Sequence, residues 1–146
     1  MSNIPKLMSG VYLTGHGGLD KLVYREDIPV PIPQAGEVLI EVKGAGVNNT
    51  DINTRLGWYS KKVTSDTNAG GTEGLSEVDD DDASWSGVPL QFPRIQGGDI
   101  CGRIVQVGEG VEQDRIGTRT LVRSMQNIPT KDCLLYTSDA ADESVR

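Results

Sequence analysis

Apolar and polar residues alternate in short runs along the first half of the chain. Val38, Ile40 and Val42 fall on one parity and Leu39, Glu41 and Lys43 on the other, the period of a half-buried strand. β-Favouring runs also occupy 11–14 and 22–25, and later 100–107 and 118–123. Turn signals separate them: GHGGLD at 15–20 and PVPIPQAGE at 29–37, where Pro29, Pro31 and Pro33 forbid helix and favour an extended connector. Residues 50–56 read as a short helix, with Asn49 or Thr50 as its N-cap and Gly57 as its stop. Several short strands, one short helix and many glycines predict a mainly β fold, a closed or partly closed barrel.

The segment 60–88 breaks this rhythm. It contains TSDTNAGGTEGLSEVDDDDASW, with few apolar residues and an acidic run at 79–82. That composition predicts a flexible acidic insertion, either solvated or serving as a lid or subunit contact with Trp85 as its anchor. A calcium site at the four aspartates is disfavoured, because a calcium loop spaces its ligands around a fixed turn. The net charge of -7 is concentrated here and at the C-terminus: 60–88 hold seven acids and two bases, 133–146 three acids and one base, and the rest eleven of each. The body is electrically balanced, so nucleic acid is not an expected partner.

At 146 residues the chain suffices for one domain with its own core. No apolar run approaches the roughly 18 residues of a membrane span, and the opening MSNIPKLMSG has no apolar signal core. A cytoplasmic protein away from membranes is expected. Cys101 and Cys133 form neither a CxxC pair nor a disulfide framework, and Cys101 is expected to be a small buried apolar residue. Residues 133–143, CLLYTSDAADE, resemble the translation of a transposon-type adapter used in sequencing libraries. The natural sequence is therefore expected to end near Asp132, leaving 133–146 as a non-native tail in which Cys133 and Tyr136 carry no function.

Four blocks in order carry the functional signal: LTGHGGLDKLVYREDIPVPIPQAGEVLIEV, KGAGVNNTDINTRLGWYS, FPRIQGGDICGRIVQVGEGV and RIGTRTLVR. Together, over residues 8–128, they resemble the N-terminal GroES-like catalytic domain of the medium-chain dehydrogenase/reductase superfamily. The resemblance implies a GroES-like, partly open β-barrel with short helices, and an NAD(P)H-dependent oxidoreductase as the full-length parent. In that family a Rossmann domain follows, with a Gly-rich turn between a strand and a helix. The glycines at 15, 17 and 18, and at 108 and 110, lack the following helix and the acidic residue that such a turn requires. The nucleotide-binding half is thus expected to be missing and the fragment inactive alone.

The stretch 97–111, GGDICGRIVQVGEGV, has the frame GHExxGxVxxVGxGV, in which zinc-dependent members of the family supply a histidine ligand. Gly98 stands at the His position and Asp99 at the Glu position. The zinc-dependent block G-x-C-H-x-D is met by Gly46, Val47, Asn48, Asn49, Thr50 and Asp51, so that Asn48 stands in place of the ligating cysteine. A catalytic zinc needs three Cys, His or carboxylate ligands and an open position. Both motif-derived ligands are lost, and no metal is predicted.

The G-V-N form resembles instead the quinone oxidoreductase branch. That resemblance implies hydride transfer from NADPH or NADH to a quinone or an α,β-unsaturated carbonyl, without zinc. Charge developing on the acceptor oxygen must then be met by hydrogen-bond donors. Asn48 suits that work, as donor to the acceptor carbonyl or to the nicotinamide carboxamide of the cofactor; a local cap or turn is the plainer role. Tyr59, Thr50 or solvent are the candidates for proton delivery, and Asn49 and Thr50 are also candidates for capping.

Trp58 and Tyr59 follow the short helix, where the family's substrate cleft begins, and their rings suit planar acceptors. Core packing is the alternative for Trp58. His16 lies in a turn that borders the cleft in similar proteins, and is otherwise a surface turn residue. Gly97, Gly102, Gly108 and Gly110 are read as backbone devices for positive φ or close strand approach, and Asp51 and Asp99 as partners of backbone or of Arg55. A zinc-type alcohol dehydrogenase fragment remains an alternative, as does a non-enzymatic binding module using the acidic insertion. The expected partner is a small carbonyl or quinone molecule; the acceptor, the choice of NADH or NADPH and a homo-oligomeric parent stay open.

Overall fold

The structure, a computed structural model, describes residues 4–64, 72–75, 78, 81, 83–84, 88–122 and 140–141. Strands dominate: β1 (Leu7–Leu13), β2 (Leu22–Pro29), β3 (Val38–Gly46), β4 (Asp99–Val107), β5 (Arg119–Val122) and β6 (Ala140–Ala141), with the single α-helix among the described residues, α1 (Asn49–Leu56), between β3 and β4. β1 and β2 form a two-stranded sheet; the others form a four-stranded sheet in the order β3-β4-β5-β6. This is the mainly β architecture that the alternation predicts.

Each predicted strand is present, with shifted ends. β1 starts at Leu7 and not at 11, and β2 continues to Pro29. Ser9 and Gly10 have no β-propensity of their own, so pairing with β2 decides their conformation. The long antiparallel pair β3–β4 runs from Val38 opposite Val107 to Gly46 opposite Asp99, with irregularities between Leu39 and Ile40 and between Val42 and Gly44. β5 continues the sheet from Ile100 opposite Val122 to Arg103 opposite Arg119. β6 pairs with Leu121 and Val122.

The chain divides into two compact units, Met1–Met8 with Glu26–Val47 and Gly97–Arg146, and Ser9–Arg25 with Asn48–Gln96. In the first, Val38, Ile40, Ile104 and Val122 form the core, with Ile100, Val107 and Val111 packed against it. Ile104 is fully buried. Burying such a side chain contributes about 1.5–3 kcal/mol. Period two puts Asp99, Cys101 and Arg103 on the opposite face of β4. The expectation of a buried Cys101 is thereby corrected: its thiol is exposed, because strand parity, and not its polarity, chose its face.

In the second unit, Leu13 is fully buried and exchanges both backbone hydrogen bonds with Arg94, at 2.8 and 2.9 Å. The described parts of the acidic segment are tied in: Leu19 N–H donates to Thr72 O at 3.1 Å, and Ala83 and Ser84 are buried. Trp85 and the aspartates 79, 80 and 82 lie outside the described residues, as does residues 133–146 apart from β6. Among the described residues no helix is long and apolar enough to cross a membrane.

Candidate functional site

The candidate residues gather around α1, in the second unit. Asn48 is its N-cap, in extended conformation, and not Asn49 or Thr50 as the sequence suggests. Its side-chain Oδ1 accepts from Thr50 N–H at 3.1 Å and from the Thr50 hydroxyl at 3.4 Å. Asp51 completes a capping box, its Oδ2 accepting from Asn48 N–H at 2.8 Å. A cap is preferred one residue earlier because Asn48 is followed three positions on by an acid, a pairing that neither Asn49 nor Thr50 has. Asp51 therefore binds backbone, as expected of it.

The cap also fixes which way the amide points. A backbone N–H needs an acceptor, so the oxygen of Asn48 must face Thr50 N, and the N–H₂ edge lies on the other side. Asn48 and Thr50 are both exposed. Their juxtaposition places a hydroxyl beside an oriented carboxamide.

At the other end, Gly57 takes a left-handed conformation at φ 71° and closes the helix. Trp58 N–H reaches back to Asn53 O at 2.9 Å, and Gly57 N–H to Thr54 O at 3.2 Å, the two bonds of a Schellman close. Trp58 and Tyr59 meet edge to face, with centroids 5.5 Å apart, and Trp58 is 43% exposed. The backbone positions of Asn48 and of these rings are separated by the two turns of α1, about 12 Å. The candidates thus form two groups and not one tight cluster.

His16 belongs to the C-terminal end. Its Nδ1 lies 2.7 Å from Thr54 O, which requires the proton on Nδ1, since a carbonyl only accepts. Its ring stands edge-on to Phe92 at 5.0 Å, and its Nε2 is buried. His16 is therefore not a free surface turn residue: the turn is sewn to the helix. Gly17 N–H donates to Arg55 O at 2.8 Å, and the buried Arg55 guanidinium donates to Gly17 O at 2.6 Å. Gln96, which the sequence did not single out, donates from Nε2 to Asp51 O at 2.9 Å. No local pattern signals that bond, because its partners are 45 residues apart.

The alcohol dehydrogenase GroES-like domain family matches residues 34–143. The chain belongs to that family. This GroES-like domain lies in the quinone-oxidoreductase-like branch of the medium-chain dehydrogenase/reductase superfamily. It is 39% identical over 124 residues to a human quinone oxidoreductase, covering 85% of this chain and 30% of the relative. A Sinorhizobium meliloti protein assigned as an alcohol dehydrogenase is 47% identical, with a TM-score of 0.62 over 84% of this chain and 30% of that one. A mycobacterial protein complexed with NADPH is 26% identical, with a TM-score of 0.53 over 80% of this chain and 28% of that one. The GroES-like domain spans about a third of the length of the relatives it matches.

Proposed function

We propose that this chain is the catalytic domain of an NAD(P)H-dependent oxidoreductase that reduces quinones or α,β-unsaturated carbonyls by hydride transfer without a metal. The observation that carries this reading is the exposed, oriented carboxamide of Asn48, at the position where the family resemblance puts the zinc-ligating thiolate. A neutral amide offers no thiolate and Gly98 offers no side chain. Among the described residues no three His, Cys, Asp or Glu side chains gather. That donor set does not fit a catalytic zinc.

It does fit a nicotinamide and a carbonyl acceptor, both of which need a neutral donor. The reduced nicotinamide, when bound, supplies the hydride. Asn48 donates from its N–H₂ edge to the nicotinamide carboxamide or to the acceptor oxygen on which charge develops. The Thr50 hydroxyl is directed at Asn48 Oδ1, the edge away from the N–H₂, where it steadies the amide, and solvent supplies the proton for that oxygen. Tyr59, a helix length away from Asn48, works with Trp58 to hold the flat body of the substrate. His16 supports that end through Thr54 O. The NADPH complex of the mycobacterial relative and the name of the human one support the cofactor and acceptor classes. A cytoplasmic setting and a small-molecule partner, with neither nucleic acid nor membrane, belong to the same proposal.

Asn48→Asp in the longer protein that contains this chain is the test, because aspartate caps a helix as well as asparagine but donates nothing. We expect kcat for NADPH-dependent quinone reduction to fall by about 10²–10³-fold, with unfolding of the domain unchanged. An undiminished kcat refutes the assignment. The 146-residue chain alone is expected not to oxidise NADPH, and measurable oxidation by it overturns that part of the proposal. The alcohol dehydrogenase assignment of the Sinorhizobium meliloti relative favours a second reading; stoichiometric zinc that activity requires would establish it instead.

A further inference from the structure

We propose that Gln96 is a positioning residue, which fixes the direction of the Asn48 carboxamide by holding Asp51 at the first turn of α1. The inference rests on the reading that Asn48 is the donor of the reaction. The connection is continuous: Gln96 Nε2 donates to Asp51 O at 2.9 Å, Asp51 Oδ2 accepts from Asn48 N–H at 2.8 Å, and Asn48 Oδ1 accepts from Thr50 N–H at 3.1 Å. A helix of eight residues is too short to hold its first turn unaided. External contacts must supply the rigidity.

Those contacts are laid along one side of the helix. Asp51 and Thr54, three residues apart and so on neighbouring turns of one face, receive Gln96 and His16 respectively, each on a backbone carbonyl. The Gly17–Arg55 pair holds the last turn. Gln96 is the anchor at the Asn48 end and His16 the anchor at the Trp58 end.

The other half of the Gln96 amide argues that its donor is what matters. Oε1 is buried and has no hydrogen-bond partner among the described residues. An unsatisfied buried acceptor is unfavourable, and an apolar side chain of the same shape would avoid it. In the folded chain that cost accompanies the bond that its N–H makes to Asp51 O.

The test uses the 146-residue chain and no ligand, so its outcome is independent of the hydride chemistry. Gln96→Met keeps the shape and removes the donor, whereas Gln96→Lys restores a donor. Amide exchange at Thr50 and the NMR order parameter of the Asn48 side-chain N–H₂ report the capping box. Exchange at Leu13, fully buried in the same unit with its N–H on Arg94 O, reports the stability of that unit as a whole. In Gln96→Met we expect Thr50 exchange to rise about tenfold, the equivalent of one hydrogen bond. The Asn48 order parameter should fall while Leu13 is unmoved, and Gln96→Lys should return both towards the parent. Unchanged Thr50 exchange and Asn48 order in Gln96→Met overturn the proposal, as does loosening that Leu13 shares equally. Should Gln96→Met not fold, the scalar coupling across the Gln96–Asp51 hydrogen bond in the parent decides: its presence with an ordered Asn48 upholds the proposal, and its absence with an equally ordered Asn48 ends it.

Discussion

Gly108→Ala tests whether the second half of the GGDICGRIVQVGEGV signature is steric in purpose. A Cβ at position 108 would lie 2.7 Å from the carbonyl carbon of Gln34, closer still to its oxygen, and 3.2 Å from Glu37 O. Carbon atoms in contact normally stand about 3.5–4.0 Å apart, and the oxygen is nearer still, so the 34–37 turn would have to retreat by more than about 1 Å. That turn is held by Gly108 N–H on Glu37 O and by Gly36 N–H on Glu109 O, both at 2.8 Å. Overpacking of about 1–3 kcal/mol and two backbone hydrogen bonds of about 0.5–1.5 kcal/mol each give a loss of about 2–6 kcal/mol.

Gly110 is the internal control. It sits at φ 81°, and a Cβ there would meet nothing within 4 Å. Alanine at 110 carries only the left-handed penalty of about 1–2 kcal/mol, offset by about 0.4–1 kcal/mol from the stiffer unfolded chain. Urea unfolding of the two variants, followed by circular dichroism, gives the comparison directly. We expect the midpoint of Gly108→Ala to fall well below that of Gly110→Ala at equal m-value. Equal or reversed midpoints would refute the close-approach argument.

Ile104→Ala, at the fully buried centre of the first unit's core, should lower stability by about 2–5 kcal/mol; a thermal midpoint within a degree of the parent would show that the core lies elsewhere. Asn48→Ala should lose about 1 kcal/mol from the missing cap, and Asn48→Asp almost none, as read by denaturant titration; an equal loss in both would mean that the amide N–H₂ also carries stability. Equimolar zinc should leave the thermal midpoint of the chain where it is, because a cation bound tightly by the folded state would raise it; a rise that EDTA reverses would return the metal-dependent reading.

The strands and the helix were legible because their signals are local. Alternation at 38–43 is the pleat of β3, and Asp51 to Gly57 contains the acid and the glycine that start and stop α1. The cap at Asn48 was misplaced by one or two positions, since three consecutive cap-competent residues precede the helix and only the reciprocal bond to Asp51 chooses among them. Cys101 was misjudged because its face depends on the pairing of β4, to which thiol polarity is indifferent.

By itself, the sequence determined the family frame, because that is a matter of residue identity and spacing along the chain. It also determined that the four signature glycines serve the backbone, though not how. Tertiary structure alone divided them: Gly97 and Gly110 adopt positive φ, whereas Gly102 and Gly108 admit another strand or turn to close range. It likewise set His16 on Thr54 and Gln96 on Asp51, across 38 and 45 residues. Such bonds leave no trace in local pattern, because a hydrogen bond depends on where two groups meet in space and the chain between them can be of any composition.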